Sequence, residues 1–178
     1  MIVYHAAITT APDYLERRAP HRRAHLERLL DLRAHGLVIG GGPSPDGKTA
    51  DIFYRTREPD QVTSLLEEDP YYTHSAWTGY RLRSFGQFVE PWESPPVVTD
   101  GSRQATLVDG IVADPEMATF ALIELRGAGR LASGGFFESR QSLGLFRTRD
   151  PDEALGWLTE TGFWKRDSLK IRPLLWVL

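Results

Sequence analysis

The feature that most constrains this 178-residue chain is an internal repeat. Tyr54-Arg55-Thr56-Arg57-Glu58-Pro59-Asp60 returns 92 residues later as Phe146-Arg147-Thr148-Arg149-Asp150-Pro151-Asp152, with five residues identical. A register one residue longer sets Leu32-Arg33 against Leu125-Arg126, Gly36 against Gly129, and Gly41-Gly42 against Gly134-Gly135. A period of about half the chain implies one supersecondary unit used twice. The shift of offset from 93 to 92 places a one-residue deletion in the hairpin between the two blocks, where a loop tolerates it.

The pattern inside each half predicts the unit. Residues 2–9 alternate as a strand, with Ile2, Tyr4, Ala6 and Ile8 on one side and Val3, His5 and Ala7 on the other. Pro20 suits the first turn of a helix that runs to about His35, and Gly36 supplies its left-handed stop. Leu26, Leu29, Leu30 and Arg33 form the expected inner stripe, with Leu32 alongside. A short strand Leu37–Ile39, a tight turn at Gly40-Gly41-Gly42, a strand from Ala50 to Arg57, a helix from Pro59 to about Glu68 and a strand from Thr78 to Val89 complete the half. After residue 102 the same order recurs, with Phe120, Ile123 and Leu125 expected inside the helix Pro115–Ala128.

Strand, helix, strand, strand, helix, strand is the split βαβ, or ferredoxin-like, order. The expected fold class is therefore α+β, as two tandem ferredoxin-like units. The expected division is 1–93, a proline-rich linker over 94–102, and 103–178. Two helices on one face of a four-stranded sheet leave the other face bare, so the two sheets are expected to pack face to face as a dimeric α/β-barrel-like pseudo-dimer.

Composition excludes several functions. The chain has no cysteine, so disulfides, thiolate nucleophiles and iron–sulfur clusters are out. Its net charge of −3 supplies no global attraction to nucleic acid or anionic lipid. The arginines between Arg17 and Arg33 are interrupted by Glu16, Glu27 and Asp31, and read as a solvated mixed-charge face. No apolar run approaches the ~20 residues of a membrane helix. With no leader-like N-terminus, the expected location is cytoplasmic. Gly127-Ala128-Gly129-Arg130-Leu131-Ala132 has dinucleotide-fingerprint spacing, but falls between a helix and a strand, the reverse of what that site requires.

Two polar residues stand out. His25 lies on the edge of the helix's inner stripe, with Arg22 one turn upstream. The plain reading is a core-boundary histidine satisfied by a backbone carbonyl; the functional one is a general base. Asp69 is the last of three acids closing a helix, where the dipole disfavours negative charge. Here the plain reading is an Asp-Pro helix stop. The internal comparison separates the readings: Asp69-Pro70-Tyr71-Tyr72 faces Thr161-Gly162-Phe163-Trp164, and His25 faces Ala118. The aromatic pair survives in both halves while His25, Asp69 and Arg22 occur once, which favours a His25–Asp69 pair for proton transfer. Arg22 could hold an anionic substrate oxygen, and His5 could line the same cavity or be a plain strand histidine. Gly42 and Pro43 would let the backbone approach a ligand. His21 and His25, spaced i, i+4, suggest a metal pair only weakly, with Asp69 as third ligand. His35 and His74 read as surface residues.

Arg22-x-x-His25-Leu26-x-x-Leu29, Gly41-Gly42-Pro43 and Asp69-Pro70-Tyr71 together resemble the YCII-related family over residues 1 to about 92. The second half is similar to a degenerate copy. The resemblance implies a ferredoxin-like fold related to dimeric α/β barrels, an active site mapping onto His25 and Asp69, and no organic cofactor. It implies small-molecule substrates, with dehydrochlorination of hydroxylated aromatic rings and a likeness to muconolactone isomerases. It further implies assembly through sheets and no site in the second copy. The rival expectation is a non-catalytic ligand-binding or assembly module of the same fold.

Overall fold

The structure, a computed structural model, describes residues 1–178 apart from Ser139. It forms two compact units, Met1–Ser84 with Val177–Leu178, and Phe85–Trp176. The fold is mixed α+β with antiparallel strand pairing.

In the first unit the order is β1 (Ile2–Thr10), α1 (Tyr14–Arg18), α2 (Arg22–Ala34), β2 (Val38–Pro43), β3 (Thr49–Thr56), α3 (Pro59–Glu67), α4 (Pro70–Thr73) and β4 (Trp77–Val89), whose C-terminal end crosses into the second unit. The strands lie in the order β2-β3-β1-β4. In the second unit β5 (Gln104–Ile111), α5 (Pro115–Gly127), β6 (Leu131–Phe137), β7 (Gln141–Phe146), α6 (Pro151–Thr159) and β8 (Lys170–Leu175) follow, with the order β6-β7-β5-β8. Each unit thus has a ferredoxin-like strand order. Residues 94–102 contain no helix or strand.

Local chemistry explains the helix ends. α3, α5 and α6 each begin with proline, where no intrahelical N–H is needed. Asp114 caps α5 by accepting from Met117 N, and Asp150 caps α6 by accepting from Asp152 N and Glu153 N. Gly36 and Gly129, at φ +73° and +74°, follow the ends of α2 and α5 in the left-handed region that glycine enters without strain.

The helix interiors differ from the sequence expectation. α2 starts at Arg22, because Pro20 lies in a separate 3-10 turn, Ala19–His21. Its buried stripe is His25, Leu29 and Leu32, an i, i+4, i+7 pattern, whereas Leu30 is 42% exposed. Adjacent leucines on a helix are about 100° apart, so a stripe centred on Leu29 cannot also include Leu30. In α5 the buried residues are Ala118, Ala121, Leu122 and Leu125, while Phe120 and Ile123 face outward at 55% and 42% exposure. The expected inner set had chosen the bulkiest side chains. The smaller Ala118 and Ala121 are the ones packed inside, with Leu122, Leu131, Phe146 and Leu158 around them. Burial of a leucine or phenylalanine of this set contributes about 1.5–3 kcal/mol.

Candidate functional site

α2 presents His25 toward the loop between α3 and α4, and Asp69 meets it there. His25 Nδ1 lies 2.8 Å from Asp69 Oδ1 and 3.0 Å from Oδ2, and both residues are buried, Asp69 to 1% exposure. A carboxylate only accepts, so Nδ1 carries a proton, and in the neutral ring Nε2 holds the lone pair. No described residue hydrogen-bonds Nε2.

Asp69 occupies a different place from the one expected. α3 ends at Glu67 with Glu68 as its C-cap, and Asp69 is the extended N-cap of α4, accepting from Tyr71 N at 2.8 Å. Its charge therefore faces two donors rather than the negative end of a helix dipole. One carboxylate serves both the start of α4 and the tautomer of His25.

Aromatic rings enclose the pair. Tyr71 stacks on His25 at 3.7 Å between ring centres and 13° between planes, and Trp77 meets His25 edge-on at 5.3 Å. Tyr14 packs edge-on against Tyr71 at 5.9 Å, with the Arg18 guanidinium 5.0 Å from the Tyr14 ring centre. Burial pushes the Tyr71 hydroxyl well above the ordinary phenol range, and the charge of Tyr14 adds to this while Arg18 and Arg22 oppose it. Arg22 is thus within electrostatic reach of the pair's aromatic neighbour, exposed at the N-terminal end of α2. A cavity of about 640 Å³ lies between β1, α1 and the β2–β3 turn, lined by Thr10, Tyr14, Leu15, Glu16, Asp46 and Lys48 among others. Tyr14 is its link to the His25 cluster.

The remaining candidates lie elsewhere. His5 does not share a face with His25. Side chains alternate along a strand, and Tyr4, paired with Tyr54, points to the face on which Asp69 acts on the Tyr54 hydroxyl. His5 points the other way, where its Nε2 is 2.7 Å from Asp51 Oδ1 and its Nδ1 3.3 Å from Arg83 Nη2. Gly42 pairs with Asp51 and Pro43 with Ala50 in the β2–β3 ladder, so both are strand residues. Gly40-Gly41-Gly42 is not a tight turn. Gly41 has φ +146° and a Cβ there would come within 2.2 Å of Asp51 O; its carbonyl accepts from Val177 N and Leu178 N. The close approach is to the chain itself. His21 stacks on His74 at 3.6 Å, and no cluster of three His, Cys, Asp or Glu side chains suited to a metal occurs among the described residues. His74, expected as a plain surface residue, is exposed but engaged in that stack.

Asp51 and Arg83 escaped the sequence reading. The available signal was an acid at an inward position of an alternating strand, since Asp51 is only 4% exposed. Tyr71 and Trp77 were legible as aromatics, but their stacking on an imidazole depends on tertiary placement. The second unit has an ion pair in the corresponding strands, Arg172 on β8 with Asp109 on β5 at 2.5 Å.

Several solved structures are similar to this chain. A 5-chloro-2-hydroxyhydroquinone dehydrochlorinase from Burkholderia phenoliruptrix AC1100, in complex with 2,5-dihydroxybenzoquinone, matches at 21% identity and TM-score 0.41, over 45% of this chain and 89% of that one. A heme-binding protein from Thermus thermophilus matches at 10% identity and TM-score 0.56, over 99% and 92%. A mutant chlorite dismutase from Candidatus Nitrospira defluvii, in complex with cyanide, matches at 15% identity and TM-score 0.51, over 97% and 90%. The last two share the fold along nearly the whole chain, and at such identities a shared fold does not carry activity with it. No curated protein matches the sequence. The sequence pattern of the YCII-related domain matches residues 2–86, the segment that carries His25 and Asp69. This first half of the chain belongs to the YCII-related domain family.

Proposed function

We propose that the first unit is a cofactor-independent acid–base enzyme acting on a small molecule, of lyase, dehydrochlorinase or isomerase type. One observation carries this reading. Asp69 holds Nδ1–H of His25, which directs the basic lone pair of Nε2 away from the carboxylate and leaves it without a hydrogen bond to any described residue. A histidine oriented in this way takes a proton at Nε2, and the carboxylate stabilises the imidazolium that forms. The proton then returns to another atom of the product, as in an isomerase, or leaves with an anionic leaving group, as in a dehydrochlorinase. Arg22, one turn before His25, would hold an anionic oxygen of the substrate. The rings of Tyr71, Trp77 and Tyr14 suit a flat, hydroxylated aromatic or lactone. The second unit is read as a degenerate copy with a structural role, since Ala118 and Thr161 replace the pair.

A second reading is favoured by the burial of His25, whose side chain is 9% exposed. In it the pair is an internal brace of a ligand-binding or assembly module. Turnover of small hydroxylated aromatics and lactones by wild type, His25→Ala and Asp69→Asn separates the two. The enzyme reading expects His25→Ala to lose about 10²–10⁴-fold in kcat/KM. Asp69→Asn should shift the pH profile, because the imidazolium loses its counter-charge. Equal turnover by wild type and His25→Ala removes His25 from the mechanism.

A further inference from the structure

The place filled by Arg28 in the first unit is empty in the second. Arg28 stands eight residues before Gly36, and Ala121 stands eight before Gly129, the two left-handed glycines that follow α2 and α5. Arg28 Nη2 donates to Glu68 Oε2 at 2.9 Å and approaches Leu65 O at 3.4 Å, bridging α2 to the C-cap of α3. In the second unit the C-cap acid is retained as Glu160, but Ala121 reaches nothing across the gap. What remains is a cavity of about 310 Å³ between α5 and α6, lined by Ala121, Leu125, Glu124, Glu160, Arg130 and Trp157 among others.

Three features define what this cavity suits. Its volume is at the lower end of small-molecule sites. Neither Glu124 nor Glu160 makes an ion pair or a side-chain hydrogen bond among the described residues. The indole of Trp157 already attracts a guanidinium, that of Arg130, 5.4 Å from its ring centre. We propose that the α5–α6 cavity is a binding site for a small organic cation bearing a guanidinium group. The ligand head takes the position that Arg28 takes in the first unit, pairing with Glu160 and Glu124, and its aliphatic stem lies on Leu125 and Trp157. A planar guanidinium matches a carboxylate through two parallel N–H···O contacts, which an ammonium cannot provide. The site is separate from the His25–Asp69 pair and independent of its proposed chemistry.

Butylguanidinium is the probe, with butylammonium and butyrate beside it, titrated into the full-length protein while amide and indole NMR signals of residues 118–161 are followed. The expected result is saturable binding of butylguanidinium, weaker binding of butylammonium, and none of butyrate. Glu160→Gln should weaken the interaction about tenfold, as loss of a charge-assisted hydrogen bond does. Ala121→Arg should abolish it by refilling the gap from within. Arg130→Ala should strengthen it by removing a like charge and freeing the ring. Unchanged binding in Ala121→Arg or Glu160→Gln, preferential binding of butyrate, or no saturable shift in wild type would each overturn the proposal. Glu160→Gln changes no buried residue, so it keeps the test decisive should Ala121→Arg fold poorly.

Discussion

The two units place different chemistry on the same frame. α2 and α5 each have 13 residues, α3 and α6 nine, and both units order their strands alike. At the turn after α3 the first unit has Asp69, which accepts from Tyr71 N at 2.8 Å and from His25. At the turn after α6 the second has Thr161, whose Oγ1 lies 3.4 Å from Phe163 N and donates to Leu158 O. The contact that starts the next segment is kept in both. The contact across to the first helix exists only once, because Ala118 stands where His25 does and is fully buried. The comparison teaches that capping accounts for an oxygen at this turn but not for a carboxylate. A carboxylate is needed for the imidazole.

The largest effect expected from this difference is in stability. Asp69→Ala leaves Nδ1–H of His25 and Tyr71 N–H buried without an acceptor, at a cost of about 2–4 kcal/mol. Thr161→Ala, its counterpart, should cost about 0.5–1 kcal/mol, since its capping contact to Phe163 N, at 3.4 Å, is longer and the residue is more exposed. Urea unfolding of both variants measures the contrast, and equal losses would mean that the two turns do the same work. Asp69→Thr sharpens it further. That variant restores the cap with the residue found in the second unit, so it should recover part of the stability and none of the proposed activity.

The next effect comes from reversing the comparison. Ala118→His puts an imidazole at a position with no exposure, packed among Leu122, Leu131 and Phe146 and lacking a carboxylate. Overpacking of this kind costs about 1–3 kcal/mol. Adding Thr161→Asp supplies the partner, and the double variant should be more stable than Ala118→His alone. A non-additive gain in unfolding free energy would be the signature; simple additivity would show that the second unit cannot form the pair.

Much of this was legible in the sequence. The repeat around Pro59 and Pro151 carried the element order, and the mismatch of His25 with Ala118 and of Asp69 with Thr161 pointed to the residues that meet. Faces of helices were less legible. Leu30 and Phe120 are apolar yet exposed, because which of two neighbouring stripes turns inward is decided by packing, not by hydrophobicity. The position of Asp69 was misjudged for a related reason. A four-residue helix such as α4 has too few residues to show periodicity, so the break between α3 and α4 was hidden in a run of acids. Arg28 read as one more solvated charge, although its guanidinium spans two helices.

The smallest expected effect lies beneath the pair. Tyr54 on β3 and Phe146 on β7 hold matching places in the two sheets, and both are fully buried. The Tyr54 hydroxyl has no hydrogen-bond partner among the described residues. Burial, with a further push from the Asp69 carboxylate, raises it far above its ordinary value of 10.0. The folded chain therefore keeps this proton where the unfolded chain releases it. The resulting stability is present below pH 10 and declines as the pH rises above it. Tyr54→Phe, which borrows the residue of the second unit, removes an unsatisfied polar atom at almost constant shape. It should change stability at neutral pH by about 0–1 kcal/mol, in the stabilising direction. It should also flatten the alkaline decline, leaving the share due to Tyr71 and Tyr14, which burial raises as well. Unfolding midpoints from pH 8 to pH 11 decide the matter: an unaltered decline in Tyr54→Phe would mean that this hydroxyl is satisfied in solution, and that the two sheets differ less at this point than their side chains suggest.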